Sequence, residues 1–243
     1  MKLIYKCLGG SHLYGLNVPE SDLDWRGVFL NDSIGTIVGL DRHEHQDLRH
    51  ESKDEFYFEL RNFLNSLRKT NTQAIELLFN DGACESIDPI FKKIQDNKYR
   101  LLDSKKLYKS LKGYLYGELK LATGERSGDI GSKRRGQIEK YGFSPKNFMN
   151  MIRLCYCGQE FFKTGVYPVK VSDNEELKQL LMEIRLQPEK FTMDRLTLLY
   201  NFYELGLNES YDSRLTDYEF DTDLANEIVL EAYLPILEKL KKQ

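Results

Sequence analysis

The sequence predicts an α+β chain, with an α/β core and a mixed sheet over residues 1–100 and a helical C-terminal domain over residues 101–243. Three observations carry this prediction. Apolar runs of strand length, at residues 2–8 and 22–30, fall within the first hundred residues. From about residue 105 the apolar positions recur at helical spacing. The chain has 243 residues, enough for one large domain or two small ones with real cores.

The elements follow in order. Residues 2–8 (KLIYKCL) read as a buried strand, and Gly9, Gly10 and Ser11 break it. Pro19, Glu20 and Ser21 make the turn before a second strand at 22–30, DLDWRGVFL. A third strand is expected over 51–57. Residues 58–69 form a helix that places Leu60, Phe63, Leu64 and Leu67 on one stripe, and residues 73–79 (QAIELLF) are apolar enough to be buried. A helix over 107–122 groups Leu107, Leu111, Tyr114, Leu115, Leu119 and Ala122 on one face. The next, 145–163, starts with Ser144 as N-cap and Pro145 at the first helical position. Helices over 175–186, 192–205 and 223–241 complete the second half. Residues 124–136 (GERSGDIGSKRRG) hold four glycines and read as a mobile, partly basic loop.

Hydrophobic residues make up 41% of the chain and charged residues 30%, a globular and water-soluble balance. No apolar run approaches the ~20 residues of a membrane helix. The N-terminal apolar stretch is too short for a secretory signal, so a cytoplasmic protein with no membrane partner is expected. The net charge of -3 conceals an asymmetry: residues 100–163 carry 14 basic and 6 acidic side chains, +8 against -4 before them and -7 after. A basic middle between acidic ends suits a polyanion docking there. Lys105, Lys106, Lys109 and Lys112 sit at helical spacing, and we read them as a solvated helix face. Cys7, Cys84, Cys155 and Cys157 lack zinc-finger spacing and read as free thiols. His43, Glu44, His45 and His50 lie in a stretch that reads as polar surface rather than a zinc site.

The chemistry is expected at Asp22-Leu23-Asp24. Residues two apart on a strand face the same way, so two carboxylates would repel unless a cation lay between them. Mg²⁺ prefers carboxylate oxygens together with substrate phosphates. Gly10 and Ser11, ten or more residues upstream, offer a turn whose backbone N–H groups can approach phosphate oxygens. A strand–helix–strand unit would bring that turn and the aspartates into one pocket.

This arrangement, a Gly-Ser turn followed after nine to thirteen residues by Asp-x-Asp on a strand, resembles the DNA polymerase beta nucleotidyltransferase superfamily. Within it, Gly10-Ser11-His12-Leu13-Tyr14-Gly15-Leu16 and Ser21-Asp22-Leu23-Asp24-Trp25-Arg26-Gly27-Val28 resemble the RlaP-like group, named for an RNA repair pathway and including YcgL-type proteins. Thr72 to Phe79 resembles the group's "NPxxLELL" segment, with Thr72-Gln73 in place of Asn-Pro. Lys146 to Leu154 resembles its "KHAxHLIRLL" helix, with Asn147 and Asn150 where the group has histidines. Gly165 to Val169 resembles the "G-x-Y-x-V" that follows.

The resemblance implies transfer of a nucleoside monophosphate from an NTP to a hydroxyl, with release of pyrophosphate and two Mg²⁺ or Mn²⁺ ions as cofactors. It implies an RNA end, perhaps of tRNA, as acceptor partner; AMP transfer to a protein, nucleotide transfer to a small molecule, or nucleotide sensing without catalysis are the rivals. Asp22 and Asp24 would hold metal, and Asp54 matches the third acidic position. Glu51 and Glu55 compete with Asp54 for that place. Gly10 and Ser11 would bind the triphosphate. Lys146 lies in the first turn of its helix, against the positive end of the dipole, a placement that fits service to phosphate. Lys133 and Arg134, in the loop, are expected to reach nucleotide as the loop closes over it. Arg153 could reach phosphate too, although a structural role is favoured, and His12 could touch nucleotide or merely pack. No Walker-type Gly-Lys-Thr, Ser-His-Asp set or dinucleotide fingerprint is present.

Overall fold

A computed structural model describes residues 1–41, 44–47, 54–82, 84–125, 132–215 and 217–242, without the side chains of 132 and 133. Among the described residues, five strands form one mixed sheet. They are β1 (Lys2–Leu8), β2 (Asp24–Leu30), β3 (His45–Asp47), β4 (Asp54–Glu59) and β5 (Ser86–Ile87), in the order β3-β4-β2-β1-β5. Only β2 and β4 run parallel; the other neighbours are antiparallel. Between the strands lie α1 (Gly10–Tyr14), α2 (Ile34–Ile37), α3 (Leu60–Arg68) and α4 (Thr72–Leu78), and α5 (Pro89–Asp96) follows β5. The helical stretch comprises α6 (Ser104–Ala122), α7 (Ser132–Tyr141), α8 (Pro145–Thr164), α9 (Glu175–Leu186), α10 (Met193–Asp212) and α11 (Thr222–Leu240). None of the described helices is long and apolar enough to cross a membrane.

The chain divides into two compact units: residues 1–104 with 218–243, and residues 105–217. The expected boundary near residue 100 marks the first crossing, but α11 returns to the sheet-bearing unit. Its apolar side explains this. Leu224, Ala225, Ile228, Ala232 and Tyr233 are buried, and Lys93 of α5 ties the helix down through Glu227 at 2.7 Å and Glu231 at 2.6 Å. The two chain crossings are pinned together. The Ser104 N–H donates to the Tyr218 carbonyl, and the Tyr218 N–H donates to the Ser104 hydroxyl, both at 3.0 Å.

In the sheet-bearing unit, Tyr5 of β1 stacks on Phe91 of α5 with ring centroids 3.9 Å apart, and Phe63 of α3 packs on the same ring. The stripe Leu60, Phe63, Leu64 and Leu67 is buried as its spacing predicts. The expected helix start at 58 moves to Leu60, because Phe58 and Glu59 finish β4. Glu59, 2% exposed, then caps α3 by accepting from the Arg61 and Asn62 N–H groups.

In the second unit α8 packs closely on α10. A Cβ on Gly158 would lie 2.6 Å from a Leu207 methyl, and one on Gly206 would lie 2.8 Å from the Gln159 amide. Two glycines thus face each other's helices, and the close approach needs both. Tyr108 of α6 stacks on Tyr211 of α10 at 3.9 Å. Ser144 and Pro145 begin α8 as predicted, but the Ser144 hydroxyl donates to the Asn147 side chain rather than capping a backbone N–H.

One expectation is corrected here. The segment 124–136 is not a loop throughout, since Ser132 to Gly136 form the opening turns of α7. A single helical Gly136 costs only about 1 kcal/mol relative to alanine, too little by itself to end a helix. Residues 126–131, including Arg126, lie outside the described residues.

Candidate functional site

β2 begins at Asp24, not Asp22, so the Asp-x-Asp pair straddles the strand's first residue. Asp22 stands exposed in the approach. Asp24 pairs in parallel register with Asp54, the first residue of β4. Parallel partners share a sheet face, so the two carboxylates project side by side. Glu55 pairs with Trp25, on the opposite face, where it accepts a hydrogen bond from the Tyr57 hydroxyl at 3.1 Å. Register therefore separates two rivals for the third acidic place; Glu51 lies outside the described residues.

The Gly-Ser turn meets this carboxylate pair. The Gly9 N–H donates to the Asp24 carbonyl at 2.6 Å, which clamps the turn to the start of β2. Gly10 has φ +56, and a Cβ there would lie 2.1 Å from the Asp24 carboxylate. Only a residue without a side chain fits both the backbone conformation and the contact. Ser11 follows in α1, which ends at Tyr14, whose hydroxyl donates to Glu76 of α4 at 2.8 Å. Glu76 is 5% exposed. It comes from the Thr72–Phe79 segment, so α4 holds the far end of the short helix that follows the turn. The Nε2 of His12 is buried and meets no hydrogen-bond partner among the described residues.

Sequence reasoning missed Arg26. Its guanidinium lies on the carboxylates: Nη1 and Nη2 each donate to Asp54 Oδ1 at 3.2 Å, and Nη2 is 3.7 Å from Asp24 Oδ1. Nη1 also donates to the Trp25 carbonyl at 2.8 Å and the Asp54 carbonyl at 3.1 Å. The signal was present, because the period-two rule that aligns Asp22 with Asp24 also aligns Arg26. As donors, the Asp24 and Asp54 carboxylates suit a hard cation. In this arrangement the guanidinium supplies the positive charge between them. Among the described residues no three His, Cys, Asp or Glu side chains gather to hold a metal, and Asp22 does not join the pair.

The remaining predicted residues belong to the second unit. Lys146 is exposed at the second position of α8. Arg134 lies half-buried in α7, where its charge acts on Glu118 of α6, and the side chain of Lys133 lies outside the description. Arg153 is 2% exposed and donates to the Asn150 side chain through Nε and Nη2, at 3.2 and 2.8 Å, which fits the structural role. Asn147 donates to Glu118 at 2.6 Å. The two asparagines at the group's histidine positions thus serve packing polar contacts. Burial pushes the Glu118 carboxyl above the usual glutamate range, opposed by Arg134 and by bonds from Tyr114 and Asn147. His45 stacks on Phe56, and His43 and His50 lie outside the described residues. Cys7, Cys155 and Cys157 are buried free thiols, and Cys84 is free and half-buried.

A model of RlaP, the RNA repair pathway DNA polymerase beta family, matches residues 1–228. The chain belongs to this family. RlaP membership points to an enzyme of the nucleotidyltransferase type. Two relatives are themselves uncharacterised. A protein of Methanocaldococcus jannaschii is 28% identical over 235 residues, 90% of this chain and 89% of its own length. A 38.9 kDa protein of Enterobacteria phage T4, from the nrdC-mobD intergenic region, is 26% identical over 126 residues. That match spans 47% of this RlaP member and 37% of the phage protein. No solved structure matches the chain significantly.

Proposed function

We propose that this RlaP member moves a nucleoside monophosphate from an NTP to an acceptor hydroxyl, with an RNA end, such as that of a tRNA, as acceptor. The hydroxyl oxygen attacks the α-phosphorus and gives up its proton to solvent, a new P–O bond forms, and the bond to the leaving pyrophosphate breaks. The observation that carries this reading is the Asp24–Asp54 pair in register against the Gly9–Gly10 turn, in a chain of this family. Mg²⁺ or Mn²⁺ held by Asp24 and Asp54, with Asp22 reaching in from the strand approach, would neutralise charge on the attacking and leaving oxygens. Gly10 and Ser11 present backbone to the phosphates, and the bare Gly10 keeps that approach open. Tyr14, held by Glu76, fixes the helix behind the turn. In the second unit, Lys146, Lys133 and Arg134 are assigned to polyanion binding within the +8 segment.

The test supplies purified protein with each labelled NTP, Mg²⁺ or Mn²⁺, and RNA, protein or small-molecule acceptors. Label on RNA with stoichiometric pyrophosphate is expected. Label on a protein or small molecule instead replaces the acceptor, and NTP binding without any transfer overturns the enzyme reading.

A further inference from the structure

The same strand face carries a group with no place in the reaction just described. The Arg26 guanidinium bridges toward both carboxylates, and its side chain is 17% exposed. Its stem lies under the turn, since a Cβ on Gly9 would come within 2.5 Å of Arg26 Cγ. Gly9 therefore covers the arginine as Gly10 covers Asp24. Turn, arginine and carboxylates form one contiguous set, and the guanidinium stands between two places for anions.

We propose that Arg26 couples cation binding to nucleotide binding: it holds Asp54 while the cation is absent and turns onto the triphosphate when the cation takes the carboxylates. This rests on the nucleotidyltransferase reading. A divalent cation and a guanidinium repel each other and compete for the same Asp54 oxygen. Displacing a largely buried guanidinium without a new acceptor is costly. A phosphate delivered with the cation meets that need, because its oxygens accept the guanidinium's paired donors. Cation alone must then bind weakly, and cation and NTP must strengthen each other reciprocally. Arg26 acts here as a positioning residue, and its effect is read in binding.

Trp25 is the only tryptophan and lies next to Asp24 and Arg26, so its fluorescence reports on the site. The experiment titrates the full chain with Mn²⁺ by fluorescence and calorimetry, with and without α,β-methylene analogues of the four NTPs. Wild type, Arg26→Gln, Arg26→Lys and Asp24→Asn are compared. Arg26→Gln is expected to bind Mn²⁺ alone roughly tenfold more tightly than wild type, while the tightening by analogue shrinks about tenfold. Arg26→Lys keeps the charge without the paired donors and should move both values in the same direction by less. It also serves if circular dichroism shows Arg26→Gln to be misfolded. Unchanged or weaker Mn²⁺ affinity in these variants, with binding lost in Asp24→Asn, overturns the role of Arg26 and leaves the metal reading standing. No Mn²⁺ binding by wild type, or equal binding by Asp24→Asn, overturns the metal reading and the coupling with it.

Discussion

In the proposed reaction, Asp24 and Asp54 are the side chains on which the chemistry would depend. Asp24→Asn should lower metal-dependent transfer by on the order of a hundredfold or more, with an unchanged circular dichroism spectrum, because it removes a ligand without removing a packing group. Asp54→Ala should bind Mg-NTP nearly as wild type yet turn over slowly, whereas Glu55→Ala, across the sheet with Tyr57, should stay close to wild type. The reverse pattern, read by calorimetry beside turnover, would mean that β4 is in the wrong register. Glu118 makes a different prediction. Its folded pKa is raised, so the folded state holds that proton more tightly than the unfolded chain. Its contribution is then fully present below the ordinary glutamate pKa of about 4.3 and is lost as pH rises through the raised value. Glu118→Gln should flatten that part of the melting-temperature profile, and an unaltered profile would remove Glu118 as its source. Asp24 and the Gly-Ser turn were legible in the sequence because spacing and glycines are local signals. Asp54, thirty residues further on, came from the family resemblance, and the parallel register that sets it beside Asp24 is seen only in the fold. The role of Glu76, met by Tyr14, depends on a contact 62 residues away, which no local pattern encodes. For Arg26 the period-two rule gives the sheet face, but not its partner Asp54, 28 residues away.

The long helices were legible for a physical reason. A helix of three or more turns repeats its apolar stripe often enough to be recognised, and α9 matches its predicted limits of 175 and 186. β3 has three residues and β5 has two, too few for a period-two pattern, and each exists by pairing with a neighbour. α7 was hidden by Gly136 and by its run of basic residues. Two predictions belong at this scale. Gly158→Val should destabilise the second unit by about 1–3 kcal/mol, because the added methyls have no room beside Leu207. Denaturant unfolding checks it, and a neutral result would mean that α8 and α10 are not in close contact there. Tyr233→Phe should cost about 1–3 kcal/mol, because its hydroxyl donates to buried Glu59 and accepts from the Asn31 N–H. The same measurement, with no loss of stability, would remove α11 from the sheet-bearing core.

At the scale of the molecule, the sheet-bearing unit is discontinuous in sequence and the second unit is continuous. A fragment ending at residue 217 should therefore retain hydrogen-exchange protection in α8 and α10 while losing it in α3 and α5, against which α11 packs. Equal protection in both units would contradict this. The apolar patterns of α3 and α11 were each readable, yet their packing together was not, because about 150 residues separate them. The hydrogen-bonded meeting of Ser104 and Tyr218 also bears on how the protein is made. A ribosome delivers residues 105–217 as one uninterrupted length, so the helical unit can finish folding while synthesis continues. The carboxylate-bearing unit must wait, because α11 emerges after every other element described. Until then that unit lacks Tyr233 and the rest of the apolar side of α11, and Glu59 lacks its bond from the Tyr233 hydroxyl. The unit that holds Asp24 and Asp54 is thus completed after the helical one, and the proposed nucleotide chemistry waits for α11 to be made.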